Sequence, residues 1–140
     1  MAEDKDIRWK QRFQNFDRAV VLLREPIERG LASLSTLEKE GTIQRFEFCL
    51  ELAWKTVKDF LEYEGRSIQP VTPRTVFKEA FAAGVIKDGT VWLEMLDHRN
   101  LLSHTYDVAA FEKAVLAIKE RYQPAIEALH EYLLLKRMQP

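Results

Sequence analysis

Apolar side chains recur along most of the chain at alternating steps of three and four residues, and this spacing constrains the fold more than any other feature. Steps of this size place side chains on one stripe of an α-helix. Such stripes run through residues 9–27, 43–60 and 111–133. The sequence has no alternation of apolar and polar residues long enough to predict a sheet. We therefore expect an all-α protein.

Two residues in the first half are typical of a helix boundary. Gly41 resembles a helix stop, and Thr42 resembles the N-cap of a following helix. The first helical segment is therefore predicted to reach about Glu40. It should kink or restart at Pro26, because proline lacks a backbone N–H. The second helix is predicted to run from Thr42 to Tyr63.

The second half contains further start signals. Thr72 before Pro73 predicts the start of a short helix, and Asp88 and Asp107 predict the N-caps of two more. Pro124 predicts a kink in the last helix. Heptad-like stripes on four long helices favour small crossing angles. We therefore predict an antiparallel up-and-down four-helix bundle with one additional short helix, formed by residues 1–140 as a single domain.

The charge balance excludes a strongly basic nucleic-acid-binding protein. The chain has 21 Lys and Arg residues against 22 Asp and Glu residues, which gives a formal net charge of −1. Any contact with RNA or DNA must then be local. The single cysteine, Cys49, cannot form an intramolecular disulfide. Because no apolar run is long enough to span a membrane and residues 1–10 do not resemble a signal peptide, we expect no membrane segment and a cytoplasmic protein.

Motifs of the common nucleotide-binding and hydrolase folds are absent from the sequence. There is no Gly-rich phosphate loop, no G-x-G-x-x-G and no G-x-S-x-G nucleophile elbow. The three histidines, His98, His104 and His130, lack the spacing of a metal-binding pair. We predict neither a bound metal nor a cofactor.

The segment 97–107 departs from simple helix packing. The apolar stripe of the fourth predicted helix leads from Leu96 to Arg99, so a charged guanidinium occupies a core-type position. Such a group buries poorly unless it binds a carboxylate or a phosphate. His104 exchanges a proton near neutral pH. Together Arg99 and His104 supply an anion clamp and an acid or base, which phosphodiester cleavage requires.

A structural role explains the same residues without any chemistry. Arg99 could pair with Asp97, Asp107 or a glutamate of the second helix, and His104 could cap carbonyl groups at the helix end. On an ideal helix Arg99 and His104 lie about 140° apart, so they converge only through a bend, the reach of arginine or a second subunit. For an isolated pair at this spacing, the structural interpretation is the favoured one.

Two glutamates of the second helix are candidates to support Arg99. Glu47 and Glu51 lie on one polar strip, which is typical of a solvated face. The alternative is that Glu47 or Glu51 approaches Arg99 across the bundle and positions it until a phosphate competes. Asn100 could orient His104 or contact phosphate, or it is an ordinary surface residue.

Two segments resemble known signatures. Residues 99–106, RNLLSHTY, match the R-x-x-x-x-H-x-Y signature of HEPN domains, especially those paired with minimal nucleotidyltransferases. Residues 43–48, IQRFEF, and residues 51–55, ELAWK, resemble the second-helix signature of the nucleotidyltransferase substrate-binding proteins. With the helix start at residues 72–74, these matches occur in the expected order.

The resemblance implies a helical homodimer that associates with a minimal nucleotidyltransferase. In related toxin–antitoxin pairs the HEPN protein is a metal-independent ribonuclease, so RNA or a nucleotide is the expected ligand. Carried over by position, Arg99 and His104 would form the catalytic pair, and Tyr106 would be the hydroxyl that the partner modifies with AMP. The supporting candidates are Asp97, Asn100, Asp107, Glu47 and Glu51.

Three functions remain open from the sequence. The chain is a HEPN-type subunit with ribonuclease capacity, or a non-catalytic subunit that presents a nucleotide or another substrate to the nucleotidyltransferase, or a structural helical dimer in which Arg99 is a buried tie. The motif alone does not establish that the chain is an enzyme.

Overall fold

The protein is described by a computed structural model that covers residues 2–102 and 107–139. These ranges are helical, with no strand among them. The helices are α1 (Ala2–Arg29), α2 (Thr36–Tyr63), α3 (Pro73–Ala82), α4 (Gly89–Leu102), α5 (Val108–Ala117) and α6 (Gln123–Arg137). A 3₁₀ turn follows α1 at Leu31–Ser33, and a π-helical turn at Ile118–Tyr122 joins α5 to α6. Because α5, the π turn and α6 form one rod, the prediction of four long helices and one short helix is confirmed.

Side-chain pairs between helices give their relative directions. Residues early in α1 pair with residues late in α2 and α6, and residues late in α1 pair with earlier ones, so α1 is antiparallel to both helices. His98, near the end of α4, contacts Tyr122 in the π-helical turn, whereas Trp92, nearer the start of α4, shares a cavity with Leu129 further along the last rod, so α4 is antiparallel to that rod. The pairs that show this are Arg12–Asp59, Arg29–Glu38, Arg24–Glu127, Asp17–His130 and His98–Tyr122. The long helices therefore alternate in direction, as predicted.

One cluster of buried apolar side chains fills the space between the helices. The predicted stripes supply most of it, including Trp9, Phe13, Phe16, Phe46, Leu50, Phe60, Trp92, Met95, Ile126 and Leu133. Burial of such side chains from water is the main stabilising contribution to a fold of this kind. Among the described residues, none of the helices combines the length and the apolarity that crossing a membrane requires.

The boundary between the first two helices lies earlier than predicted. Helix α1 passes through Pro26 and ends at Arg29, where Gly30 adopts a φ of 88°, rather than reaching Glu40. Glycine tolerates this left-handed backbone without the steric penalty of a Cβ atom. The 3₁₀ turn and Leu34 then lead into α2, which begins at Thr36.

The prediction that Gly41 and Thr42 separate two helices is wrong. Ser35 is the N-cap: its side chain accepts a hydrogen bond from the backbone N–H of Glu38, and the Glu38 carboxylate accepts one from the backbone N–H of Ser35. This capping box satisfies two backbone donors at once, which a Thr42 cap does not. Thr42 instead donates its hydroxyl to the Glu38 carbonyl at 2.8 Å inside the helix. Packing against α1 therefore outweighs the weak helix propensity of Gly41.

The later boundaries are as predicted. Thr72 caps α3 ahead of Pro73, Asp88 accepts a hydrogen bond from the backbone N–H of Val91 at the start of α4, and Asp107 caps α5. The irregularity predicted at Pro124 takes the form of the π-helical turn just before it. A proline lacks the N–H for a helical hydrogen bond and its ring crowds the carbonyl four residues earlier, so a widened turn relieves the conflict.

The capping box predicts a measurable loss of stability. Replacing Ser35 by alanine removes the acceptor for the Glu38 N–H, so we expect Ser35→Ala to lower the free energy of unfolding by about 1 kcal/mol. Urea unfolding followed by circular dichroism measures the change. Ser67→Ala in the exposed loop after α2 is the matched control and should leave the midpoint unchanged. Equal midpoints for both variants would contradict the assigned cap.

Candidate functional site

Arg99 lies on the inner stripe of α4, at the edge of the core. The stripe residues before it, Trp92, Met95 and Leu96, are buried. The Arg99 side chain itself is 28% exposed. The guanidinium is therefore neither sealed in the interior nor free on the surface. A permanently charged group in this position needs an anionic neighbour, and its exposed part remains accessible to a ligand.

The anionic neighbour of Arg99 is Glu51 of α2. Its Oε2 atom lies 3.7 Å from Arg99 Nη1, which is an ion-pair distance but too long for a good hydrogen bond. Glu51 also accepts hydrogen bonds from Trp54 Nε1 at 3.0 Å and pairs with Lys55 Nζ at 3.1 Å. The cross-bundle contact between Arg99 and Glu51 is thus present. Because it is long, the guanidinium keeps N–H donors for another acceptor.

The pKa values of the two glutamates respond differently to this setting. Desolvation raises the pKa of Glu51, but hydrogen bonds from Trp54 and Lys55 and the charges of Lys55 and Arg99 outweigh it, so the net pKa is lowered. Desolvation also raises the pKa of Glu47, and the charge of Arg99 only partly opposes this effect. Arg99 therefore faces one firmly ionised carboxylate and a second, less favourably solvated one.

Asp97 and Asp107, two of the other supporting candidates, have partners away from Arg99. Asp97 is 67% exposed and accepts a 2.6 Å hydrogen bond from Arg74 of α3. Asp107 accepts a hydrogen bond from the backbone N–H of Ala109 at 3.1 Å as the cap of α5. Asn100 lies exposed on α4. Asp97 and Asp107 thus have structural partners of their own.

His104 and Tyr106 lie outside the described residues. The pairing of His104 with Arg99 and the assignment of Tyr106 as AMP acceptor therefore stay predictions from the motif. The described chain ends at Leu102, three residues after Arg99, and resumes at Asp107.

His98, which sequence reasoning considered only as a metal ligand, makes a specific contact beside Arg99. Its Nδ1 atom lies 3.0 Å from the hydroxyl of Tyr122 in the π-helical turn. Burial lowers the pKa of His98 below its ordinary value of 6.5. Tyr122 is buried, stacks on Phe46 with 5.4 Å between ring centroids, and has its pKa raised mainly by burial. The available signal was the position of Tyr122 on the last apolar stripe, where a hydroxyl needs a partner.

Two other kinds of chemistry find little support in the described ranges. Burial raises the pKa of the Cys49 thiol to about 12, so the reactive thiolate is scarce at neutral pH. No group of three or more His, Cys, Asp or Glu side chains in these ranges is arranged to hold a metal ion. The anion-binding potential of Arg99 is the chemical feature that stands out.

The fold and this site define an all-α helical bundle in which an arginine of the fourth helix meets glutamates of the second. Residues 11–134 match the protein family described as "Nucleotidyltransferase substrate binding protein like". The chain therefore belongs to this family, and the resemblance drawn from residues 43–55 and 99–106 is confirmed at the family level.

One curated relative is similar to part of the chain. It is the "Probable ribonuclease HepT" of Haemophilus influenzae, 36% identical over 70 residues, a match that covers 48% of this chain and 48% of the relative. The matched part thus spans about half the length of each protein.

The buried position of His98 predicts how its proton affinity affects stability. The unfolded chain binds a proton at His98 below about pH 6.5, whereas the folded chain does so only at lower pH. The contribution of His98 to the free energy of unfolding is therefore complete above that pH and is lost as the pH falls toward the folded pKa. NMR titration of the His98 ring measures the folded pKa directly.

Substitution of His98 separates its contribution to the pH dependence of stability from those of the other titrating residues. We expect His98→Gln to reduce the slope of unfolding free energy against pH below about pH 6.5, down to the lowered pKa of the folded His98. A His98 titration midpoint at or above 6.5, or a slope unchanged in the variant, would contradict the assignment.

Proposed function

We propose that the chain is a HEPN-type subunit that associates with a minimal nucleotidyltransferase in a two-component, toxin–antitoxin-like system and cleaves RNA without a metal through Arg99 and His104. The observation that carries the proposal is the partly exposed guanidinium of Arg99, whose ion pair within the described residues is the long 3.7 Å contact to Glu51. Family membership and the name of the Haemophilus influenzae relative support it.

In the proposed reaction the nucleophile belongs to the RNA. The 2′-hydroxyl oxygen attacks the adjacent phosphorus while the bond from phosphorus to the 5′-oxygen breaks. A base takes the proton of the 2′-hydroxyl and an acid protonates the 5′-oxygen, so the products are a 2′,3′-cyclic phosphate and a free 5′-hydroxyl. DNA lacks this nucleophile and should not react.

Arg99 would bind the non-bridging phosphate oxygens. A guanidinium can donate two parallel hydrogen bonds to a phosphate and stabilises the negative charge that grows in the transition state. The phosphate would replace part of the interaction with Glu51, and the hydrogen bonds from Trp54 and Lys55 would hold Glu51 in place meanwhile. Glu51 is thus proposed to position Arg99.

His104 would move the proton at the reacting oxygen, since an imidazole is both an acid and a base near neutral pH. One histidine cannot do both tasks at the same moment. A homodimer supplies a second copy of His104, so that one acts as base and the other as acid.

The proposed partner controls this site through Tyr106. The Tyr106 hydroxyl oxygen would attack the α-phosphorus of ATP, lose its proton and release pyrophosphate, which would leave a negatively charged phosphodiester close in sequence to Arg99. This charge would compete with RNA for the guanidinium and obstruct entry of the strand.

The alternative is a non-catalytic subunit that binds a nucleotide or another substrate for the nucleotidyltransferase. The family description, which refers to substrate binding, favours it. Arg99 would then hold a phosphate without cleavage, and His104 would serve as a hydrogen-bond donor.

An RNA cleavage assay separates these functions. With a chelator present, we expect the wild-type chain to cleave single-stranded RNA, His104→Ala to lower the rate by about 10²–10⁴-fold, and Arg99→Ala to lower it by about 10²–10³-fold. The rate is measured on end-labelled RNA, and the 2′,3′-cyclic phosphate is identified by mass spectrometry.

Controls make the assay decisive. Arg66→Ala removes an exposed arginine that is likewise ion-paired, to Glu79, and should leave cleavage unchanged. Equal cleavage by wild type and His104→Ala indicates contamination and would count against the nuclease. RNA or nucleotide binding lost in Arg99→Ala, with no cleavage by wild type, supports the alternative. If Arg99→Ala lowers only thermal stability, Arg99 is a structural tie.

Transfer of AMP to Tyr106 is tested by measuring the mass of the protein. We expect incubation with ATP, Mg²⁺ and the neighbouring nucleotidyltransferase to add AMP to the wild-type chain and to lower its RNA cleavage. Tyr106→Phe should keep its mass under the same conditions, while Tyr63→Phe, at an exposed tyrosine of α2, should be modified like wild type. An adduct of equal yield on Tyr106→Phe would place the acceptor elsewhere.

A further inference from the structure

One face of α2 carries a row of side chains that leads away from Arg99 in both directions. Phe48, Glu51, Leu52 and Lys55 are spaced by three and four residues, so they lie along one face of the helix. Glu51, in the middle of the row, is the residue that contacts Arg99. The row therefore extends the site of Arg99 by about one helical turn on either side of Glu51.

A second cation lies on the C-terminal side of Glu51. Lys55 Nζ is 3.1 Å from Glu51 Oε1, while Arg99 Nη1 is 3.7 Å from Oε2 of the same carboxylate. The Lys55 side chain is 37% exposed. Because an ammonium group has three donors, Lys55 can keep its contact with Glu51 and still bind an anion from solvent. Two cations on one carboxylate can bind two negative groups that follow each other closely, as phosphates do along a nucleic acid strand.

An exposed aromatic ring lies on the N-terminal side of Glu51. Phe48 is 66% exposed, and with Leu52 of α2 and Leu22 of α1 it lines a hollow of about 310 Å³. A hollow of this size accommodates a planar ring such as a nucleobase. Exposed aromatic side chains beside basic groups are the surfaces on which the bases of a single strand stack.

Two arginines border the same hollow. Arg18 of α1 lines it and makes no hydrogen bond or ion pair with another described residue. Arg45 of α2 also lines it, and it is held by a 2.8 Å hydrogen bond to the Leu22 carbonyl and a 3.6 Å ion pair with Glu25. Guanidinium groups beside an aromatic ring favour a ligand that is both aromatic and anionic. A nucleotide fits this description better than an apolar protein segment does.

We infer that single-stranded RNA lies along this row of α2, with one phosphate on Arg99, a neighbouring phosphate on Lys55 and a base stacked on Phe48. The inference rests on the proposed function and gives its substrate a path across the surface. Glu51 does not oppose the strand, because the two cations that contact it outweigh its single negative charge. Since stacking on a side chain requires unpaired bases, the path suits a single strand and not a duplex.

The salt dependence of binding tests the contact of Lys55. Affinity is measured by fluorescence anisotropy with labelled 2′-O-methyl RNA, a single strand that lacks the hydroxyl needed for cleavage. Each phosphate contact contributes about 0.7 to the slope of log affinity against log salt, so Lys55→Gln should lower the slope by that amount and Lys55→Arg should not. Lys10→Gln is the matched control, because Lys10 is 34% exposed and pairs with Asp6 on its own helix at 3.0 Å.

A double variant separates a direct contact from an effect transmitted through Glu51. If Lys55 binds its own phosphate, adding Lys55→Gln to Arg99→Ala should lower the slope by about 0.7 again. If Lys55 only positions Glu51 and Arg99, the double variant should have the slope of Arg99→Ala. That result would overturn the assignment of Lys55.

An abasic nucleotide, moved one position at a time along the strand, tests the stacking on Phe48. At the stacked position, loss of the base should weaken binding by wild type about 5- to 100-fold. The same loss should have no effect in Phe48→Ala, whose salt slope should equal that of wild type because stacking involves no phosphate. Phe81→Ala, at a phenylalanine of α3 that is 55% exposed, is the matched control and should respond like wild type.

Each outcome decides the inference. It is wrong if the wild-type chain binds no RNA, or if wild type and Phe48→Ala respond alike to every abasic position. It is also wrong if Phe48→Ala keeps its RNA affinity but no longer binds the nucleotidyltransferase or a second copy, because the surface would then serve a protein. RNA cleavage without these binding effects would leave the nuclease standing and place the strand elsewhere. The binding effects without cleavage would leave the path standing and favour the non-catalytic subunit.

Discussion

The packing of α1 against α2 is the interaction on which the rest of the molecule depends. Trp9 packs edge-to-face on Phe60 of α2, Phe13 and Phe16 are buried on the same helix as Trp9, and α1 and α2 have 28 residues each. Burial of aromatic side chains supplies much of the free energy of folding in a protein of this size. The position of Glu51 is fixed by this pair. The site around Arg99 therefore inherits its geometry from a hydrophobic contact that takes no part in its chemistry.

Arg99 places a charged side chain at the edge of this apolar core. Its stripe position on α4 brings it toward the core, while its charge requires a carboxylate or a bound anion. Within residues 2–102 and 107–139, Glu51 meets this requirement through a long ion pair, and more than a quarter of the Arg99 side chain stays exposed. A tightly paired and sealed arginine would be a structural tie, whereas this intermediate arrangement leaves room for an exchange of partners. That balance is the physical basis of both proposed functions, cleavage and substrate binding.

Much of this architecture could be predicted from the sequence because it follows local rules. The helical stripes, the caps at Thr72, Asp88 and Asp107, and the irregularity before Pro124 depend on residues close together in the chain. The boundary at Gly41 could not be predicted correctly, because packing against α1 and the box formed by Ser35 and Glu38 decided it.

At the site, the sequence allowed two interpretations of Glu51: a contact with Arg99 across the bundle, or a place on a solvent-exposed polar strip of α2. The sequence could not decide between them. That choice depends on how α2 and α4 meet in three dimensions. The contact between His98 and Tyr122 was not predicted at all, because it joins two helices whose relative rotation is set by the whole bundle.

The π-helical turn at Ile118–Tyr122 has a consequence for how the last rod can vary. Such a turn accommodates an extra residue within a helix, and each residue rotates an α-helix by about 100°. Because five residues of such a turn supply about the rotation of four α-helical residues, the extra residue is absorbed locally and α6 keeps its phase relative to α5. Removing one residue from this turn would leave a regular helix with His130 still facing Asp17, whereas removing one residue of α6 ahead of His130 would rotate His130 by about 100° away from Asp17. A change of length in this rod is consequently tolerated best at the π-helical turn.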